Sequence, residues 1–235
     1  MEKLKLNNRI TAVNVGARSS YGGSQMISES KTMRDVGCGV VAALDLLIYL
    51  CRYHPDCSSS FFPDLSAPEP FGKEEYDALA RRLSRRFLPV IPKLGINGVL
   101  LAAGIELFFI RYRMPFRATW GVRPGRLWDE IDRMLSENIP VILAVGPNFP
   151  LLWQKNRLRF YSLMLDGSMR EACETSAHYV TVTGMDEKYL RVSSWGREYY
   201  IDRGEYSDYV KKHSSPIVSS VLLVRRRKNS CNTAV

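Results

Sequence analysis

The chain has 235 residues, and its 46% hydrophobic and 11% aromatic content is ample for a buried core. The formal net charge is +9, but Lys and Arg are scattered and cluster only at residues 81–82, 85–86 and 225–228, with no nucleic-acid-binding motif beside them. We therefore expect one domain over residues 1–235 and no nucleic acid as a partner. A solvated basic surface explains the charge, and affinity for phosphate groups or a membrane surface is a minor alternative.

The first predicted segment, residues 1–34, is polar and rich in glycine and serine. We expect it to be a lead-in arm that reaches the functional site, with one short strand at residues 10–15. A helix is predicted from Cys38 to about Tyr53. A proline-containing loop follows at residues 56–72, and three further helical patterns cover residues 73–87, 95–111 and 124–138. Residues 35–138 thus form a predicted helical half.

The most apolar run, residues 94–110, overlaps almost entirely with the second of these three helices. It contains Asn97 and Glu106, and it is too short and too interrupted to cross a bilayer. The sequence therefore predicts a buried helix here and no transmembrane segment.

The character of the chain changes after residue 138, and residues 139–226 form a predicted sheet half. Residues 141–145 are an unbroken apolar run typical of a central strand. Further strands are expected at residues 157–165, 179–184, 189–193, 198–202 and 217–224, with one short helix within residues 202–213. A basic tail covers residues 227–235. Helices in one block and an antiparallel sheet in another predict an α+β fold.

The number and spacing of the cysteines indicate the redox environment of the protein. The five cysteines are an odd number in a chain too large to need disulfide bonds, and the first eight residues lack the apolar core of a signal peptide. We therefore expect a reducing, cytoplasmic location. Cys51 and Cys57 have no second pair at metal-ligand spacing, and His54 between them does not complete a zinc site. The sequence predicts neither a metal nor another cofactor.

Cys38 stands between Gly37 and Gly39, where the first predicted helix begins. A helix N-terminus carries unpaired N–H donors and a partial positive charge, so it stabilises a thiolate and lowers the pKa of the thiol. These are the surroundings of a nucleophile. The same residues also fit a small buried cysteine packed at a helix start, and this stretch alone does not separate the two interpretations.

A cysteine nucleophile needs a base, and the chain has three histidines, His54, His178 and His213. His54 is 16 residues beyond Cys38, which is roughly 24 Å along a continuous helix, and is too distant. His213 lies among lysines and serines in a polar surface context. His178 opens a predicted strand of the sheet half, where it can face a helix end across the interface, and it is the favoured base.

The order of these residues resembles the papain-like cysteine peptidase superfamily. His178 follows Cys38 by 140 residues, and 15 residues later the chain reads Ser193-Ser194-Trp195-Gly196 at another strand end. Residues 37–39, 138–142 and 178–186 are most similar to the branch of bacteriocin leader peptidases that cut after a double glycine. The resemblance spans roughly residues 30–202.

The resemblance implies a papain-like fold, with an N-terminal helical lobe whose nucleophile helix packs against a C-terminal antiparallel sheet. It implies Cys38 as nucleophile, His178 as base, and Ser193 in the place where the family has Asn or Asp to orient the imidazole. Trp195 matches a tryptophan that shields this contact, although core packing explains it equally well. The family's oxyanion Gln is replaced by Thr32, and we expect Gln25, 13 residues before Cys38, not to reach the site.

The function implied is a cysteine peptidase that cleaves a peptide or isopeptide bond through an acyl-enzyme, with a peptide or protein as substrate. Two alternatives stay open: an acyltransferase using the same acyl-enzyme, and a catalytically degenerate module of this fold that binds a peptide or protein partner. Loops at residues 147–156 and 165–176 are expected to border the cleft, with Phe149, Trp153 and Tyr161 as possible lining residues.

Overall fold

The computed structural model describes residues 4–66, 70–123 and 125–227. The helices in these residues are α1 (Lys31–Val36), α2 (Cys38–Tyr53), α3 (Lys73–Arg86), α4 (Gly98–Arg111), α5 (Leu127–Ser136) and α6 (Arg203–His213), with a short 3-10 helix at Gln25–Ile27. The strands are β1 (Leu4–Lys5), β2 (Val13–Val15), β3 (Arg18–Ser19), β4 (Phe71–Gly72), β5 (Phe116–Trp120), β6 (Val141–Val145), β7 (Leu158–Leu163), β8 (Met169–Thr175), β9 (His178–Met185), β10 (Tyr189–Ser194), β11 (Arg197–Asp202) and β12 (Leu222–Arg226).

The main sheet has seven strands, all paired antiparallel. Its order is β1-β9-β10-β11-β7-β8, and β6 pairs with the other part of β9. Strands β5 and β12 form a separate antiparallel pair, and β3-β2-β4 form a small sheet in which β2 and β4 run parallel. Helices combined with antiparallel sheets agree with the predicted α+β class.

Helix α2 is the centre of the core. Every residue from Gly39 to Leu50 is buried, because β9, α3 and α4 pack around the helix. A helix that is mostly apolar on every face is stable only when it is covered on every side. Asp45 is the one acidic residue in this stretch. The predicted helix bounds, Cys38 to Tyr53, are confirmed.

Three features depart from the two predicted halves. Strand β5 lies within the predicted helical half and pairs with β12 near the end of the chain. Strand β1, in the predicted arm, joins the main sheet. Strand β8 occupies most of the loop expected at residues 165–176 and forms a hairpin with β7. Residues 228–235 of the predicted basic tail, residues 1–3 of the arm, and Pro124 of the predicted third helix lie outside the described residues.

Helix α4 forms as predicted, but the expectation that it is buried is wrong for one of its faces. Leu101, Ile105, Phe108 and Phe109 lie in the core, whereas Val99, Leu100, Leu107 and Ile110 are exposed. The sequence pattern is apolar on both faces, so it did not show which of them the rest of the chain covers. Within the described ranges, every helix is too short or too polar to cross a membrane.

Candidate active site

Cys38 is the first residue of α2 and is partly buried. The residue before it, Gly37, supplies no side-chain cap, and the backbone N–H groups of Cys38, Gly39 and Tyr179 act to lower the pKa of the thiol. These donors favour the thiolate, but burial outweighs them and raises the pKa of Cys38. The predicted lowering of this pKa is therefore wrong, because burial away from water destabilises the thiolate more than the helix N-terminus stabilises it. The thiol is neutral at neutral pH.

His178 is the first residue of β9 and pairs with Val145 of β6. Its ring is held from two sides: Nε2 lies 2.8 Å from Ser194 Oγ, and the Trp195 ring stacks on it with a centroid separation of 4.2 Å and an interplanar angle of 16°. Burial lowers the pKa of His178 to about 4. The imidazole is therefore neutral at neutral pH and fixed in orientation.

The structure corrects the predicted partner of His178 by one residue. The hydroxyl that contacts the imidazole belongs to Ser194, whereas Ser193 Oγ donates to the backbone carbonyl of Tyr21 at 2.8 Å. Neighbouring strand residues point in opposite directions, so a one-residue error in the sequence assignment selects the wrong hydroxyl. Ser194 therefore contacts the imidazole, and Ser193 holds the arm.

A strained turn places the tryptophan over the imidazole. Trp195 and Gly196 join β10 to β11 as a two-residue loop closed by the pair Ser194 and Arg197, and their φ angles are 49° and 74°. Positive φ at both positions is what a type I′ turn requires, and it suits glycine but not tryptophan. Such a conformation costs on the order of 1–3 kcal/mol, and strain of this kind is concentrated at functional sites. In this conformation the Trp195 ring makes its stacking contact with His178.

The arm does reach the site, as predicted, and it crosses between α2 and the end of β10. Ser193 Oγ binds the carbonyl of Tyr21, and the N–H of Gly23 donates to Asp45 Oδ2 at 2.8 Å. Gly22, with φ of 77°, lies between these two contacts, where a Cβ would come within 1.9 Å of Ser193 Oγ. Only glycine fits there, so the Tyr-Gly-Gly sequence is required by the close passage of the backbone.

Gln25, two residues after Gly23, enters the site, contrary to expectation. It is buried and lines the same cavity as Cys38 and His178. Its Nε2 donates to the carbonyl of Arg34 at 2.8 Å, which leaves the second amide hydrogen for another acceptor. Thr32, six residues before the cysteine, is not among the residues that line this cavity. The short helix α1 fills the extra chain length between Gln25 and Cys38 and brings the glutamine back.

Asp45 is a residue of the site that sequence reasoning missed. It lies two turns after Cys38 on α2, lines the same cavity, and accepts hydrogen bonds from Tyr76 Oη at 2.7 Å and from the N–H of Gly23. Burial raises the pKa of Asp45 to about 7. The available signal was a lone carboxylate in an otherwise apolar helix, seven residues after the cysteine.

The cavity is small at rest. Cys38, His178, Gln25 and Asp45 surround a space for about one water molecule. Within the described ranges no group of three His, Cys, Asp or Glu side chains is placed to hold a metal ion.

The loop predicted at residues 147–156 follows β6, but none of its residues lines the cavity. Phe149 and Trp153 on this loop are exposed, 45% and 75% respectively. Tyr161 is not a cavity residue, because it lies on β7 and donates to Glu205. None of the three aromatic residues predicted to line the cleft therefore lines this cavity.

Three segments far apart in sequence thus place a thiol, an imidazole and a primary amide around one small space. Comparisons with known proteins add nothing to this geometry, since no family model matches the chain and no curated protein is significantly similar to it.

Proposed function

We propose that the protein is a papain-like cysteine hydrolase that cleaves a peptide or isopeptide bond. The observation that supports this most is the single cavity lined by Cys38, His178 and Gln25, which carry the three groups that thiol-dependent acyl transfer needs. Cys38 is the nucleophile, His178 the base, Ser194 the group that orients the base, and Gln25 an oxyanion donor. In this proposal the papain-like order of nucleophile and base is kept, and the two accessory roles belong to Ser194 and Gln25.

Before the reaction, the Cys38 thiol and the His178 imidazole are both neutral. We assign the imidazole proton of His178 to Nε2, which lies 2.8 Å from Ser194 Oγ, so that Nε2–H donates to the hydroxyl and the lone pair of Nδ1 is available to the thiol. As the sulfur attacks the carbonyl carbon, the thiol proton moves to Nδ1 and negative charge develops on the carbonyl oxygen. The imidazolium then protonates the leaving amine, and the acyl-enzyme forms. A water molecule that gives its proton to the same nitrogen hydrolyses the thioester and restores the thiol.

The amide of Gln25 and the backbone N–H of Cys38 are the two donors for the oxyanion. One N–H of the amide is already occupied by Arg34, which holds the side chain in place, and the other is free to stabilise the developing charge. A donor of this kind is typically worth about 2.7–4 kcal/mol of barrier. Gln25 therefore supplies the group that the sequence alone did not provide.

The test uses a peptidyl fluoromethyl ketone, which needs both an activated thiol and a base, followed by peptide mapping of the labelled residue. We expect label on Cys38 in the full chain and none in Cys38→Ala. Cys51→Ala, which removes another partly buried thiol of the same helix, is the matched control and is expected to label fully. Label on Cys51, Cys57 or Cys173 instead of Cys38 would overturn the assignment.

The second candidate is a peptide-binding module of the same fold without catalysis. The observation that favours it is the combination of a raised Cys38 pKa and a lowered His178 pKa in a cavity with room for one water molecule. If Cys38 resists the fluoromethyl ketone while peptides still bind and protect the partly buried thiol from iodoacetamide, this second function replaces the first.

A further inference from the structure

Helix α4 presents an aliphatic surface to solvent. Apart from Arg111 at its end, the exposed side chains of the helix lie on one side and carry no polar atom; they are Val99, Leu100, Ala103, Leu107 and Ile110, which we call the aliphatic stripe. Val99, Leu107 and Ile110 are 64%, 57% and 57% exposed. The turn before the helix adds Ile91 and Leu94, the latter 81% exposed. Contiguous apolar surface of this kind on a folded domain marks an interaction site.

The side-chain composition of the stripe indicates whether its partner is a protein or a lipid bilayer. The centres of protein–protein interfaces are enriched in aromatic residues, Met and Arg, which combine contact area with hydrogen bonding. The stripe consists of Val, Leu, Ala and Ile only, and none of these side chains donates or accepts a hydrogen bond. A surface without polar groups fits a hydrocarbon environment better than a protein surface.

Positive charge frames the stripe. Lys93 precedes the helix, Arg111 and Arg113 follow its last exposed turn, and all three are exposed. Along one edge, α3 ends in the exposed pair Arg85 and Arg86; the next residue, Phe87, packs against Gly104 of α4. The only acidic residue on the helix is Glu106, which is ion-paired with Arg227. The rim is therefore basic on several sides.

We propose that the aliphatic stripe docks on an anionic lipid bilayer, with α4 lying in the plane of the interface. Aliphatic side chains buried at the acyl boundary with Lys and Arg at the headgroups are the pattern of interfacial helices, and each basic residue near an anionic surface contributes about 1 kcal/mol. The net charge of +9 also favours binding to an anionic surface. The inference rests on α4 and its surroundings and is independent of the proposed hydrolase.

Docking of the aliphatic stripe would bring a bilayer close to the candidate active site, because the two regions are in contact. The side chain of Ile96, just before α4, packs against Gly39 of α2, and its carbonyl accepts a hydrogen bond from Tyr179 at 3.1 Å. The N-terminus of α4 therefore lies beside the N-terminus of the nucleophile helix. A bilayer that contacts the stripe places Cys38 near its surface.

The test is flotation of the full chain with vesicles of phosphatidylcholine, with and without phosphatidylglycerol, at low and high salt. We expect binding to the anionic vesicles that falls as salt increases, and at least tenfold weaker binding for Leu107→Glu. The matched control is Leu165→Glu, which adds the same charge at a fully exposed leucine elsewhere and is expected to bind like the wild type. Circular dichroism melting of each variant checks that it is folded.

Three results would overturn the proposal. The first is absence of flotation, and the second is equal loss of binding in Leu107→Glu and Leu165→Glu. The third is a dimer in light scattering that Leu107→Glu dissociates, because the stripe is then covered by a second copy of the chain. Arg111→Gln separates the charge contribution, since it is expected to weaken binding to anionic vesicles without changing the oligomeric state.

Discussion

Two histidines of this protein are equally buried, at 7% exposure, and lie at opposite ends of α2. His54, just after the helix, donates from Nε2 to the carbonyl of Asn138 at 2.9 Å, and its Nδ1 faces Arg226 at 3.4 Å. Both of its nitrogens are engaged in holding the chain together. His178, near the helix start, contacts only a serine hydroxyl through Nε2 and lines a cavity with a thiol.

Burial therefore does not identify a base in this molecule. What distinguishes the two residues is a nitrogen that remains available next to a nucleophile, together with neighbours that fix the ring without consuming that nitrogen. If this distinction is right, mutation of His178 lowers the reactivity of Cys38, whereas mutation of His54 lowers the stability of the fold.

The largest effect is expected from removing each imidazole. His178→Ala should slow inactivation by a peptidyl fluoromethyl ketone by about 10²–10⁴-fold, the range typical of general-base catalysis. His54→Ala should leave that rate unchanged for the folded protein but lower the free energy of unfolding by about 1–3 kcal/mol, because the carbonyl of Asn138 loses its partner. Rates are measured by intact mass and stabilities by urea unfolding. The comparison fails if His54→Ala reduces the rate as strongly as His178→Ala does.

The next effect concerns Gln25 and separates oxyanion stabilisation from simple thiol reactivity. Gln25→Ala should weaken binding of a peptide aldehyde, which forms an oxyanion on addition of the thiol, by about 10²–10³-fold. Alkylation of Cys38 by iodoacetamide, which forms no oxyanion, should change little. Thr32→Ala, at the position where the family has its glutamine, is the control. Equal loss in both assays would show that Gln25 supports the structure and not the oxyanion.

Asp45 is expected to affect stability in a pH-dependent way. Burial raises its pKa to about 7 in the folded protein, against about 3.9 for an unfolded chain. The unfolded state therefore loses its proton first as pH rises, so the stability that protonated Asp45 provides is complete below about pH 4 and is lost between about pH 4 and 7. Asp45→Asn should exceed the wild type by roughly 2–4 kcal/mol at pH 8, with the difference closing toward pH 4.

Urea unfolding at several pH values measures this difference. Asp208→Asn removes an exposed carboxylate paired with Lys212 and is the control, for which no gain at pH 8 is expected. A difference between Asp45→Asn and the wild type that does not depend on pH would contradict burial as the cause of the raised pKa.

The smallest effect is expected from the orienting serine. Ser194→Ala removes the acceptor of His178 Nε2–H, and a hydrogen bond of this kind contributes about 1 kcal/mol, so inactivation should slow by about fivefold. Ser193→Ala should instead loosen the arm and lower stability, because its hydroxyl binds Tyr21. Fivefold slowing by Ser193→Ala with no effect of Ser194→Ala would restore the original sequence assignment.

Sequence patterns predicted the long, regular elements of the fold and the residues at their ends. Helix α2, with Cys38 at its start, and strand β9, with His178 at its start, are long enough for periodicity to be informative. Strand β5 and helix α1 were missed because five or six residues carry little periodicity. The exposed face of α4 was missed because an all-apolar pattern does not specify what covers each side.

The accessory residues of the site depend on tertiary geometry that spacing alone does not encode. Ser193 and Ser194 differ by one strand residue, and only the register shows which hydroxyl meets the ring. Gln25 reaches the cavity because α1 takes up the chain between it and Cys38. The raised pKa of Cys38 follows from burial, which opposes the helix N-terminus and depends on everything packed around it.

The most direct test of the account is the pH dependence of Cys38 inactivation by the peptidyl fluoromethyl ketone, in wild type and in His178→Ala. With a raised thiol pKa and a His178 pKa of about 4, the wild-type rate should be nearly constant from about pH 5 to 8 and should fall only as His178 is protonated. In His178→Ala the rate should follow the thiolate and rise about tenfold per pH unit over the same range. Identical profiles in the two proteins would show that the imidazole takes no part in the reaction of the sulfur.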